Sequence, residues 1–111
     1  MKRDYKLYLN DIQESISLIE RYTAKVSEEE FIKSIDLQDK VIRRLEIVGE
    51  AISKIPRALK EKNPCELWEK ISEFRNFVAH QYFEASLNRI WKVIKNDLPT
   101  LKKHIENIKL V

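Results

Sequence analysis

The sequence predicts an all-α protein, an antiparallel bundle of four to five helices forming one domain over residues 1–111. Three observations carry that expectation. The 111 residues include one glycine and three prolines, too few for strands joined by tight turns. Apolar residues make up 43% and charged residues 35%, and the apolar ones recur at steps of three and four, as on one face of a helix. The length suits a single buried core and is too short for two.

The first helix starts at Tyr5 and runs to about Lys25, with Tyr5, Leu9, Ile12, Ile16 and Ile19 as its apolar stripe. Ser27 and Glu30 have the spacing of a capping box, which opens a short helical turn. Asp36 is the expected N-cap of the next long helix, where Val41, Leu45, Val48, Ile52 and Ile55 keep the helical step until Pro56 stops it. Gly49 inside that helix costs roughly 1 kcal/mol relative to alanine, which suggests close approach of another helix. Asn63 and Pro64 read as N-cap and first-turn proline of a helix whose buried stripe is Leu67, Ile71, Phe74 and Val78. Ser86 can cap a helix through Leu87, Ile90, Trp91 and Ile94. Asp97 with Pro99 then starts a final segment, either a separate helix or the continuation of a kinked one.

Charge and cysteine content narrow the classes. Twenty-one Lys and Arg against eighteen Asp and Glu leave +3, with both signs interspersed, a weak pointer to an anionic partner. Cys65 stands alone, so an intramolecular disulfide or a cysteine-based zinc cluster is excluded, and a reducing compartment such as the cytoplasm is the simplest setting. No apolar run is long enough for a signal peptide core or a membrane span, so a soluble, unprocessed chain is expected.

The segment RNFVAHQY, residues 75–82, places Arg75, Asn76, His80 and Tyr82 in an otherwise apolar helix. At about 100° per residue, and with Leu67 at zero, the core stripe covers about 60° of arc. Arg75 and Tyr82 then fall on its flank at about 80° and 60°, and Asn76 and His80 on the far side at about 180° and 220°. Arg75 and His80 are thus about 140° and roughly 7.5 Å of rise apart, too divergent for one straight helix to aim both at one phosphate. Either the helix loosens near His80, or a second copy shares the site, which predicts a homodimer. Histidine moves protons near neutral pH, and the arginine fork fits a phosphate or the phosphorane formed from it, so the pair suits phosphodiester cleavage. No carboxylate or further histidine sits beside them at metal-ligand spacing; no metal or cofactor is expected. The same residues read alone also fit a cap, a surface ion pair or a satisfied core phenol.

Arg75, His80 and Tyr82 in the pattern Arg-x4-His-x-Tyr resemble the motif of HEPN-domain proteins, and the chain resembles the HepT family of toxins within them. The likeness extends over RDYKLYLNDI, VIRRLEIVGEAISKIP, LWEKISEFRNFVAHQYF and IWKVIKNDLPTLKKHIENI in the same order. The resemblance implies a dimeric all-α bundle with two motifs in one cleft, acting as the RNA endonuclease of a type II toxin–antitoxin system. It makes Arg75 and His80 the catalytic pair and matches Asn76, placed by its chemistry to orient His80 or the phosphate, to the polar residue that follows the arginine. It makes Tyr82 the residue to which the partner antitoxin, the minimal nucleotidyltransferase MntA, transfers AMP from ATP. Such a modification places phosphate charge and adenosine bulk beside the catalytic pair. HEPN domains also include members that bind nucleotides or partners without demonstrated cleavage, and a non-catalytic module that binds a nucleotide or docks onto a nucleotidyltransferase is the alternative.

Other residues have two readings each. Arg44, with Arg43, Glu46 and Glu50, is a candidate RNA or dimer contact, or part of a solvated face of ion pairs. Lys54, Arg57, Lys60 and Lys62 cluster around Pro56, as an RNA attractor or a solvated helix end. Trp68 and Trp91 could stack on bases, but their place beside apolar stripes favours core or dimer packing. His104 among Lys102, Lys103 and Glu106 reads as a surface histidine.

Overall fold

The structure is a computed structural model that describes residues 4–78 and 84–108, with side chains over 4–73 and 86–108. All its regular elements are helical. Four long rods form the frame: α1 (Tyr5–Thr23), α3 (Ile35–Lys54), α5 (Leu67–Val78), and a continuous rod made of α6 (Glu84–Lys92), a π turn (Val93–Asp97) and α7 (Leu98–Glu106). Two short helices, α2 (Glu28–Lys33) and α4 (Arg57–Lys62), join them. The molecule is elongated, 43 × 26 × 24 Å, as a bundle of 20-residue helices about 30 Å long requires.

The apolar stripes meet along the bundle axis. Ile12, Ile16 and Ile19 of α1 and Val41, Leu45, Val48 and Ile52 of α3 are buried, and α1 packs along α3, which in turn packs on α5. Each such side chain contributes about 1.5–3 kcal/mol on leaving water, so this seam is a large source of stability. Gly49 is among the buried residues of α3, as a close approach requires.

Caps and buried polar groups fix the corners. Asp4 caps α1 by accepting the Lys6 N–H at 2.9 Å. The capping box is present: Ser27 Oγ accepts the Glu30 N–H and Glu30 Oε1 accepts the Ser27 N–H, each at 3.1 Å. Gln38, buried in α3, donates from Nε2 to the Phe31 and Ile32 carbonyls at 2.9 Å, satisfying the open end of α2.

Four sequence expectations need correction. Ser34, not Asp36, caps α3, accepting the Leu37 N–H at 3.2 Å. Because α2 ends at Ser34, that residue closes one helix and opens the next. Asp36 moves into the first turn, where its charge suits the helix dipole. Asn63 is the C-cap of α4, a helix the sequence reading did not foresee although Arg, Ala, Leu, Lys and Glu are all good helix formers. Ser86 lies inside α6, since Glu84 and Ala85 are already helical. Asp97 makes no side-chain cap bond, because the chain does not leave the helix there: the Leu98 N–H bonds the Val93 carbonyl five residues back. Pro99 explains the wide turn. It has no N–H for the carbonyl four residues back and its ring crowds that carbonyl, so the backbone widens just upstream and the helix runs on.

Candidate functional site

Helix α5 carries the start of the motif. Leu67, Trp68 and Ile71 are buried and anchor its first turns, while the Trp68 indole N–H donates to the Asn63 carbonyl at 2.9 Å. Arg75 and Asn76 fall in the last turn, whose helical backbone extends through Val78, so these two positions stay about 100° apart on the helix. His80 and Tyr82 lie outside the described residues.

An open groove of about 530 Å³ separates α5 from the α6 rod. Lys70 and Glu73 form the α5 wall; Arg89, Lys92, Asn96 and Asp97 form the other, with Val93 between them. Lys70 Nζ bonds Asp97 Oδ2 at 2.8 Å, tying α5 to the π turn, and Asp97 is 18% exposed against 55% for Lys70. On the same rotation scale Lys70 and Glu73 stand at about 300° and 240°, the flank on which Asn76 follows at about 180°. The groove therefore lies on the Asn76 side of α5 and away from the Arg75 side. Sequence reasoning overlooked it, although Arg89, Lys92 and Asn96 recur at helical spacing.

The remaining candidates sort themselves by contact. Arg44 is half-buried on α3, and its neighbour Arg43 stands 3.8 Å from Glu46 in an exposed pair. In the basic cluster Arg57 pairs with Glu61 at 3.0 Å, and partial burial holds the Lys60 amine below its ordinary pKa. A solvated helix end fits these facts. Trp68 is buried, and Trp91 packs on Phe31 with ring centroids 5.4 Å apart, so both serve packing. The Lys95 ammonium sits 4.7 Å above the Trp91 ring.

His104 is not a surface residue. It is half-buried, its ring meets Trp68 edge-on at 5.4 Å, and its Nε2 lies 3.0 Å from the Asn63 carbonyl. A carbonyl only accepts, so this contact requires the proton on Nε2. Asn63 thus joins α4, α5 and α7, while its own amide donates to the Leu59 carbonyl at 3.1 Å. Lys102, two residues before His104 on α7, bonds Glu20 of α1 at 2.8 Å; that hydrogen bond, with the carboxylate's charge, raises the pKa of the amine. Among the described residues no three His, Cys, Asp or Glu side chains converge in a way that could hold a metal ion. No helix among them is long and apolar enough to cross a membrane.

Fold and sequence together define a class: a small all-α bundle with a charged groove along the helix that carries Arg75 and Asn76, the first residues of the Arg-x4-His-x-Tyr sequence. The chain belongs to the ribonuclease HepT-like family, whose model matches residues 12–108. It is 39% identical over 109 residues to a Thermococcus cleftensis protein named as a probable ribonuclease HepT, a match that covers 98% of this chain and 99% of that one. It is 45% identical over 108 residues to a Methanocaldococcus jannaschii protein named as a gamma-glutamylcyclotransferase and candidate RNase. That match covers 97% of this chain and 49% of the relative, so the chain spans about half of that protein's length. A Caldanaerobacter subterraneus protein named as a candidate RNase is 36% identical over 102 residues, covering 91% of this chain and 90% of that one. No solved structure gives a significant match.

Proposed function

We propose that the chain is a metal-independent RNA endonuclease acting as the toxin of a type II toxin–antitoxin pair. The observation that carries the reading is the family match over residues 12–108 with Arg75 and His80 at motif spacing inside it. In this reaction His80 takes the proton of a ribose 2′-hydroxyl, the 2′-oxygen forms a bond to phosphorus, and the bond from phosphorus to the 5′-oxygen breaks. The leaving oxygen regains a proton, and Arg75 holds the charge that builds on the phosphorane. Asn76 orients His80 or the phosphate. The five-residue spacing of Arg75 and His80, which a straight helix would turn to opposite flanks, supports a site completed across a homodimer, and Arg44, half-buried on α3, is a candidate contact there or to RNA.

Tyr82 is the proposed point of control. A nucleotidyltransferase partner of the MntA type attaches AMP from ATP to the phenol oxygen and releases pyrophosphate, and the added negative charge then repels the RNA backbone. The test is mass analysis of both reactants. After incubation in EDTA, RNA fragments should end in a 2′,3′-cyclic phosphate and a 5′-hydroxyl. With the partner and ATP, the protein should gain one AMP, and the Tyr82→Phe variant none. Intact RNA refutes the nuclease, and unchanged mass of the wild-type chain refutes the control.

A further inference from the structure

The groove between α5 and the α6 rod has a chemistry of its own. Arg89 and Lys92 stand three residues apart on α6, hence on one face, and both line the groove. Lys92 is exposed and has no ion pair among the described residues, so it can meet an anion without first giving up a partner. Lys70 is already bonded to Asp97 at 2.8 Å, which neutralises the carboxylate that would otherwise repel an anion at that end. Asn96 adds an amide with both donors and an acceptor, Val93 a small apolar contact at the base, and Glu73 a carboxylate that accepts hydrogen bonds. Cations beside an amide and a carboxylate acceptor suit a chain of phosphates and hydroxylated sugars better than an apolar ligand.

Position supports the same occupant. Glu73 and Asn76 are successive turns on one flank of α5, so the groove follows that flank from the Lys70–Asp97 pair toward the motif end of the helix. We propose that this groove holds the single RNA strand next to the candidate cleavage position, with Arg89 and Lys92 as positioning residues for its phosphates and Glu73 accepting from a ribose 2′-hydroxyl. The proposal rests on the ribonuclease reading and names the path its substrate takes.

The experiment is a titration of a labelled single-stranded RNA bearing 2′-O-methyl groups at alternate sugars, followed by fluorescence anisotropy at several salt concentrations. Wild type, Lys92→Ala, Arg89→Ala and Lys33→Ala are compared, the last removing an exposed charge on α2 that pairs with Glu29 at 2.9 Å. Melting curves confirm that each variant folds. Lys92→Ala should bind more weakly and lower the slope of log affinity against log salt by about one, which shrinks the loss between 50 and 200 mM salt by about three- to fourfold. Lys33→Ala should keep the wild-type slope. If Lys92→Ala and Arg89→Ala both keep wild-type affinity and slope, the groove is not the RNA path. The same holds if they lose only binding to a nucleotidyltransferase partner, in which case it is a protein-docking surface. Cleavage of unmodified RNA by the wild type, run in parallel, tests the ribonuclease reading separately.

Discussion

The α1–α3 seam and the α5–α6 face of the bundle treat polar groups in opposite ways. Along the seam the buried residues are nearly all aliphatic, and two of the polar ones that go under spend their donors on backbone carbonyls: Thr23 on Ile19 at 2.8 Å, Gln38 on Phe31 and Ile32. Across α5 and α6 the cores of both helices are equally buried, at Leu67, Ile71, Leu87 and Ile90, yet directly beside them Lys70, Glu73, Arg89 and Lys92 face an open groove. Charges there keep their water, so leaving them unburied costs little, whereas the same charges in the seam would each lose several kcal/mol of hydration. The difference separates what holds the chain together from the charged face turned to solvent.

Substitutions on the two sides should therefore move different observables. The largest effect belongs to the motif. Arg75→Ala and His80→Ala should each lower RNA cleavage by about 10²–10⁴-fold with little change in melting temperature. Mixing the two inactive variants should restore part of the activity if each site draws on two copies; failure to recover any would confine the site to one chain. In the seam, Ile16→Ala should remove about 2–5 kcal/mol of stability in a urea titration and leave cleavage per folded molecule unchanged. An activity loss larger than the unfolded fraction explains would break the division drawn above.

Gln38→Leu should cost about 1–3 kcal/mol, because the Ile32 carbonyl at the end of α2 loses its side-chain donor and the Phe31 carbonyl keeps only the Ser34 N–H. The smallest effect is the pH dependence of the tie between α1 and α7. Its hydrogen bond to Glu20 raises the Lys102 pKa, so the charged amine is favoured in the folded state. That contribution is full below the ordinary lysine value and disappears as pH rises through the raised one. The melting-temperature gap between wild type and Lys102→Met should accordingly be present at neutral pH and close in the alkaline range. A gap that persists above that range would assign the effect to packing of the lysine stem.

The seam was the legible part of the sequence, since period and burial are the same fact seen twice: Ile12, Ile16, Ile19, Val41, Leu45, Val48 and Ile52 all read as stripe and all lie in the core. Caps were less legible because several residues compete for each helix start. Ser34 and Asp36 are both good N-caps, and only the end of α2 at Ser34 decides between them. Asn63 and His104 were misjudged for a related reason, as their shared role depends on α4, α5 and α7 meeting at one carbonyl. The motif is legible as a pattern in the sequence, since Arg75 and His80 stand out against their apolar neighbours. The groove beside it is not, because it needs the α6 rod laid against α5, and no spacing within one helix reveals its neighbour.

Cleavage of a labelled RNA in EDTA by purified wild type, Arg75→Ala and His80→Ala, with circular dichroism on each, tests the central claim most directly. The account predicts that the wild type cuts while both variants fold and do not. Equal cutting by all three, or none by the wild type, would contradict it and leave the charged face as a surface for binding alone.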